Sequence, residues 1–498
     1  MVQRRRAPAL WPFGLADRPG RRETCRVTET PTIFILFGAT GDLAKRLVLP
    51  AFYTLAQKGL LPADWRLIGN GRGDVAHEDF RKHVHDVLEE FGPKLDDGVW
   101  EEFQNRLLFA GGGFTSDDPG SLLDVIEHTK AEVAAEAGSV QFLHYVATPP
   151  VAFEETARAL GQHGLNENAH VVFEKPYGTS PESFKQLDQT VLSVFKEEQV
   201  FRIDHFLGKE ATQNLHVLRF ANQMFAGLWC KEFVSAVQID VPETLDVADR
   251  AGFYDATGAT KDMLVTHLLQ VAAEVAMEPP ASMAANDLQD ARESVIAGFR
   301  PLDPAEVVLG QFNGYRDIDG IAADSTTDTF ASARLWIDTD RWRGVPFLLR
   351  TGKRLAQSTQ RVSLVLRPVD GPLTDVPAQG NVVTFSLAGN GELEAALVVK
   401  RPGAGLKLAR AIGRVVLQDL AGADPLPPYV ALLNDVMLGD RSLFTSSAGL
   451  EQAWRVAKPL LDNPPPVQPY EPGSWGPAAA DKLVAPGMWL LGADLDSA

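Results

Sequence analysis

The feature that most restricts what this chain can fold into is the unbroken apolar run Ile33-Phe34-Ile35-Leu36-Phe37, bounded by Pro31 and Gly38. A strand with no polar face has to be covered on both sides, as in a parallel sheet with helices above and below. A helical stretch from Leu43 to Lys58 follows and closes at Gly59. Next come a strand at 65–69, helical segments near 77–91, 97–106 and 120–136, and a strong strand at 141–147. A helix at 151–162, a strand at 170–173 and a helical pattern over 183–198 complete this part. Strands alternating with helices require crossover connections, which give a parallel sheet.

Beyond about residue 205 the rhythm changes. Helices are expected at 209–226 and 257–276 around a strand at 234–242, and then strands cluster at 306–315, 328–339, 346–350, 361–368, 381–388 and 392–399. The last two flank Gly389-Asn390-Gly391, a tight-turn signal because Asn-Gly supplies the positive φ a hairpin needs. Strands joined by short turns imply an antiparallel sheet with helices on one face. The prolines at 464–466, 469 and 472 favour extended chain there. Three segments result: a disordered basic extension at 1–30, carrying seven arginines, a first domain at 31–204 and a second at 205–498.

Composition narrows the function. The 498 residues carry 47 basic and 65 acidic side chains, a net charge of −18, which disfavours nucleic acid and anionic membrane surfaces as partners. No apolar run approaches the roughly 18 residues a membrane span needs. Two cysteines, Cys25 and Cys230, cannot build a disulfide framework or a cysteine zinc site. A cytoplasmic globular enzyme is the expectation.

Chemistry concentrates where strands end. Gly38-Ala39-Thr40-Gly41-Asp42-Leu43-Ala44-Lys45 lies between the first strand and the first helix. Glycine there lets backbone approach a pyrophosphate, and a helix N-terminus offers free N–H groups and a positive dipole end. An ordinary turn with Thr40 or Asp42 as N-cap is the plainer alternative. The second strand runs into Gly69-Asn70-Gly71-Arg72-Gly73. An arginine at that point suits the 2′-phosphate of NADP, whereas Asp74 two residues on keeps NAD possible. Further polar clusters follow apolar strands at Tyr145 to Pro150, at Glu174-Lys175-Pro176-Tyr177-Gly178, and at Arg202 to Lys209. Ligands of open α/β sheets bind outside the carboxyl ends of the strands. In Asp204-His205-Phe206-Leu207-Gly208-Lys209, imidazole and ammonium can both donate to a phosphate.

These segments, with Gly252-Phe253-Tyr254-Asp255 and Thr266-His267-Leu268-Leu269-Gln270, resemble the glucose-6-phosphate dehydrogenase family in order and spacing, from about residue 32 to 480. The resemblance implies a Rossmann-like dinucleotide-binding domain followed by a larger domain with a mostly antiparallel sheet and helices on one face. It implies oxidation of glucose 6-phosphate at carbon 1, with the hydride passing to NADP, by a homodimer or homotetramer. His267 would be the base, and Asp204 its carboxylate partner, since a neutral imidazole titrates near 6.5 and gains basicity from a carboxylate on its other nitrogen. Its neighbours Leu264, Leu268, Val271 and Val275 form an apolar helical stripe, beside which a histidine could equally be structural. By the same resemblance His205 and Lys209 would hold the phosphate, with Lys353 adding charge. Lys175 would bridge substrate and coenzyme, Glu243 and Asp262 would accept from sugar hydroxyls, and Arg72, Tyr145 and Arg350 would line the coenzyme.

The chain departs from the family at Phe206, where tyrosine is commoner, at Lys261, and at Val265-Thr266 before the histidine. Leu355-Ala356-Gln357-Ser358-Thr359-Gln360 stands where further basic residues are usual. Each lost donor weakens the grip on a doubly charged phosphate. Two other readings stay open: a sugar dehydrogenase of the glucose–fructose oxidoreductase or inositol dehydrogenase type, or a non-catalytic paralogue acting as a binding subunit.

Overall fold

The computed structural model describes residues 30–492, apart from 134–139, 248–249, 374–375, 377–379, 390 and 421. Residues 1–29 of the basic extension, with Cys25, and Asn390 therefore lie outside the described residues.

Six parallel strands build the first sheet: β1 (Thr32–Phe37), β2 (Trp65–Asn70), β3 (Leu107–Ala110), β4 (Gln141–Val146), β5 (Ala169–Phe173) and β6 (Val200–Ile203). Their spatial order is 6-5-4-1-2-3, so β1 is central and all six of its residues are buried. Its even residues, Phe34 and Leu36, pack into one apolar layer, and Ile33, Ile35 and Phe37 into the other. This two-sided burial is what a run without polar residues demands. The chain reverses strand order between β1 and β4, which opens a crevice at their carboxyl ends.

The second sheet contains β7 (Val234–Pro242), β8 (Val307–Phe312), β9 (Phe330–Leu335), β10 (Phe347–Gly352), β11 (Arg361–Leu366), β12 (Val382–Ser386), β13 (Glu392–Lys400) and β14 (Leu408–Val416). Most neighbours are antiparallel, including the β12–β13 hairpin that the Gly-Asn-Gly turn marks, with φ of +57° at Gly389 and +87° at Gly391. β7 and β10 pair in parallel, however, at the centre of the sheet. One face carries Val237, Ile239, Phe347 and Leu349 into a core shared with the helix Leu269–Ala276.

Late chain segments return to both sheets. β15 (Phe444–Thr445) pairs antiparallel with β6, and β16 (Gln468–Tyr470) pairs in parallel with β8. The helices Pro428–Leu438 and Ser447–Asp462 on either side of β15 pack against opposite faces of the first sheet, through Val430, Leu433 and Val436 on one and Leu450, Trp454 and Ala457 on the other. The helix Ala285–Ala297 packs against both Leu269–Ala276 and Ser447–Asp462. The two sheets are thereby braced together.

Candidate active site

At the mouth of β1, Gly38 adopts φ +78°, and a Cβ there would stand 2.8 Å from the Ala147 carbonyl oxygen beyond β4. At Gly41 a Cβ would come 3.1 Å from the Gly38 oxygen. Side chains are excluded from the floor of this turn. The Gly38 and Ala39 amides donate to the Asn70 carbonyl at 3.0 and 3.1 Å, which ties the turn to β2. Neither Thr40 nor Asp42 caps the helix that starts at Ala44; Asp42 instead pairs with Arg46 at 2.7 Å. Leu43 and Lys45 are half-buried beside the turn, and Arg72 is exposed just beyond β2. A glycine floor at the positive end of a helix fits the pyrophosphate of a dinucleotide.

Across the crevice, Asp204 follows directly on β6, and His267 comes from the helical segment Thr260–Leu268. That segment is a π-helix, although its apolar stripe reads as an α-helix. Gly258, at φ +67°, breaks the preceding helix, and Asp328 restarts the chain by accepting from the Thr260 amide at 2.7 Å and hydroxyl at 2.8 Å. Thr266 donates to the carbonyl five residues back, at 2.6 Å. Such wide turns bring Asp262 and His267, five residues apart, to one side chain: Lys175 Nζ lies 3.3 Å from Asp262 and 2.7 Å from His267 Nε2. The Lys175-Pro176 bond is cis.

The imidazole is fully enclosed. His267 Nδ1 lies 2.7 Å from Asp204 Oδ1, which also accepts from the Phe206 amide at 2.9 Å. Burial first, and then the Lys175 ammonium, hold the histidine well below its ordinary pKa, so it is neutral. Burial raises Asp204, against the opposing pull of His205, the Phe206 amide, Lys175 and Arg292. With Nδ1–H given to the carboxylate, Nε2 carries the lone pair and points to Lys175.

Basic groups gather beside this pair. The His205 ring lies 4.5 Å from that of His267. Lys209 stands 4.3 Å over the Phe206 ring and donates to Gln360. Burial pulls its pKa down from 10.5 to about 8. Lys353 pairs with Glu243 and sits 5.6 Å over the Tyr254 ring. Asp262 is held below the usual carboxylate range, despite burial, by the charge and hydrogen bond of Lys175.

Two residues expected at the coenzyme have their polar groups elsewhere. Arg350 is not brought to the crevice. Alternation along β10 turns Leu349 into the core and Arg350 onto the opposite face, where it pairs with Asp240 at 2.6 Å and lies 4.2 Å from the Trp489 ring. Tyr145 is buried in the core, its hydroxyl donating to Glu174 Oε1 at 2.5 Å, and Tyr429 donates to the same oxygen at 3.2 Å. The sequence marks Gln360 only as part of the stretch that lacks basic residues, and Tyr429 not at all; neither has a local motif, because their partners lie 151 and 255 residues away.

A glucose-6-phosphate dehydrogenase NAD-binding domain model matches residues 35–214, and the C-terminal domain model of that enzyme matches 216–489. Curated relatives include glucose-6-phosphate 1-dehydrogenase of Aggregatibacter actinomycetemcomitans, 34% identical with 91% of this chain and 95% of that one covered. Glucose-6-phosphate 1-dehydrogenase 2 of Mycobacterium bovis is 36% identical, over 96% and 97%. Among solved structures, the enzyme of Mycobacterium avium superposes with TM-score 0.81 at 33% identity, covering 92% of this chain and 98% of that one. A glucose-6-phosphate dehydrogenase in complex with glucose 6-phosphate gives TM-score 0.86 at 28% identity, covering 94% and 100%. With both halves matched and about a third of its residues shared along nearly the whole of such relatives, the chain belongs to the glucose-6-phosphate dehydrogenase family.

Proposed function

We propose that this protein oxidises glucose 6-phosphate at carbon 1 to the 6-phosphogluconolactone, with His267 as the base. The observation that carries the reading is the neutral, enclosed imidazole, fixed by Asp204 on Nδ1 and with its Nε2 lone pair facing Lys175 Nζ. Oxidising a hemiacetal hydroxyl needs a base to take its proton as the hydride departs. A nicotinamide dinucleotide bound on the Gly38–Lys45 turn supplies the hydride acceptor. The sugar hydroxyl takes the place of Lys175 at Nε2, the proton moves onto Nε2, and Asp204 stabilises the imidazolium that forms. Lys175, released, turns to Asp262 and the substrate oxygens. Asp262 and Glu243, acceptors only, receive hydrogen bonds from ring hydroxyls, while His205, Lys209 and Lys353 hold the phosphate. Formation of reduced coenzyme at 340 nm from glucose 6-phosphate, but not from free glucose at equal concentration, is the expected result. Equal rates on both sugars would favour a dehydrogenase without a phosphate site.

The coenzyme reading is NADP, supported by the exposed Arg72 beside the cradle. Arg72→Glu should raise KM for NADP by about 10- to 100-fold and leave KM for NAD nearly unchanged, since a charge-assisted contact is worth roughly 1.5–3 kcal/mol. An equal rise for both would place the 2′-phosphate elsewhere.

The division at 204/205 is read as dinucleotide-binding and substrate domains, and the assembly as a homodimer through the second sheet. On the β13–β14 hairpin Leu393, Ala395, Leu397 and Val399 oppose Val415, Gly413, Ala411 and Ala409, so one face carries no charge. Leu397, Val399 and Val415 are 50%, 40% and 46% exposed on that face, at the outer edge of the sheet. An uncharged apolar face on an edge hairpin suits a second copy of itself. Sedimentation should give a dimer or its multiple for the parent and a monomer for Leu397→Glu; a monomeric parent contradicts the reading.

A further inference from the structure

The helical segment that supplies His267 packs on the second sheet, whereas Asp204 follows a strand of the first, yet their side chains must meet within a fraction of an ångström. The continuation of the His267 segment, the helix Leu269–Ala276, ends in a cluster that closes this gap from behind. Glu274 is fully buried there, paired with His216 at 2.5 Å and with Arg292 through Oε1. Against the upward pull of burial, Arg292 and His216 hold Glu274 down at about 2, so the carboxylate is charged.

Arg292 then reaches outward from the helix Ala285–Ala297. Its Nη2 donates to the Ser442 carbonyl at 2.9 Å and its Nη1 to the Phe444 carbonyl at 3.3 Å. One turn earlier, Gln289 donates to the Arg441 carbonyl at 3.1 Å, and Ser446 donates to Glu293. The turn held in this way leads into β15, where Phe444 lies opposite Ile203 and Thr445 opposite Arg202. The next residue after Ile203 is Asp204. The contacts therefore form a closed circuit: His267, the helix to Glu274, Arg292, the 442–444 backbone, β6, Asp204, and back to His267. A guanidinium is suited to this place, since its planar fork can serve a carboxylate and two carbonyls at once, whereas an ammonium has no such fixed geometry.

We propose that Arg292 is a positioning residue, which sets the separation and angle between Asp204 and His267 without touching substrate. The proposal rests on the reading of His267 as base given above. Its charge also favours ionised Asp204, together with His205 and Lys175.

The test compares Arg292→Met, Arg292→Lys and His267→Asn in the full-length protein, with glucose 6-phosphate and its carbon-1 deuterated form. Arg292→Met should lower kcat about tenfold with KM for both substrates nearly unchanged, because small misplacements of a base are costly. The deuterium effect on kcat should rise, and the acid limb of kcat/KM, set by protonation of the coupled His267–Asp204 pair, should move to higher pH as a positive charge is withdrawn from beside it. Arg292→Lys should move each quantity the same way by less, and it decides the matter if Arg292→Met does not fold. A crystal structure of either variant should show Nδ1···Oδ1 longer than 2.7 Å. A merely structural role would lower the melting temperature and leave the isotope effect and acid limb where they were, and that result overturns the proposal. If His267→Asn keeps the parental rate, the base assignment itself has failed. If His267→Asn is inactive while folded Arg292 variants match the parent, the positioning role alone has failed.

Discussion

His267→Asn is expected to lower kcat by about 10²- to 10⁴-fold while KM for glucose 6-phosphate changes little, the range a positioned general base contributes. The asparagine amide still fits the enclosed site and can donate toward Asp204, so the carboxylate is not abandoned in a buried place. What it lacks is a lone pair able to take a proton at neutral pH. Asp204→Asn should cost less than the histidine change but still orders of magnitude, since it leaves the imidazole without the group that fixes its tautomer and balances its charge. Equilibrium dialysis of coenzyme and of glucose 6-phosphate against the variants separates lost chemistry from lost binding. A His267→Asn protein that keeps even a tenth of the parental kcat would remove the histidine from the reaction.

The second large effect belongs to Lys209. Lys209→Met should raise KM for glucose 6-phosphate by about 10- to 100-fold, with kcat at saturation within a few fold, because one charge-assisted contact to a phosphate is worth roughly 1.5–3 kcal/mol. The methionine keeps an apolar stem to pack over Phe206. A pH signature accompanies it. Burial lowers Lys209 to about 8, so the ammonium is charged below that pH and lost as pH rises through it. In the parent, kcat/KM for glucose 6-phosphate should therefore fall above about pH 8, and in Lys209→Met this limb should be absent. A variant that retains the limb would assign it to another group. The paucity of partners matters here: the stretch Gln357-Ser358-Thr359-Gln360 offers Lys209 an amide rather than a second cation. That leaves more of the phosphate's charge to Lys209 itself.

How much of this was legible in the chain follows from the range of each interaction. The apolar run at β1 dictated its own burial and, with the strands at 65–69, 141–147 and 170–173, the parallel sheet. β3 and β6 were not anticipated: each has four residues, too few to show a period, and Arg202 interrupts the second. The antiparallel expectation for the second sheet fits its hairpins, whose partners are neighbours in sequence, but not the parallel β7–β10 pair, whose residues are 110 apart. The helices Pro428–Leu438 and Ser447–Asp462 carry no local mark, because their apolar faces serve the first sheet, which ends more than 220 residues earlier. The glycine turn was readable because its constraint is local. The meeting of Asp204 and His267 was supplied by family resemblance, since 63 residues and two sheets separate them. The π-helical turns that bring Asp262 and His267 to Lys175 left no trace in the apolar stripe, since Leu264 and Leu268 suit either winding.

The most direct test of the proton transfer is the pH dependence of kcat/KM, followed as reduced coenzyme at 340 nm, for the parent and for His267→Asn. In the parent the acid limb should lie below pH 6.5, as a histidine kept neutral by burial and by Lys175 requires, and the residual rate of the variant should show no such limb. An acid limb above pH 7 in the parent, or the same limb in both proteins, would mean that His267 is not the group that accepts the proton.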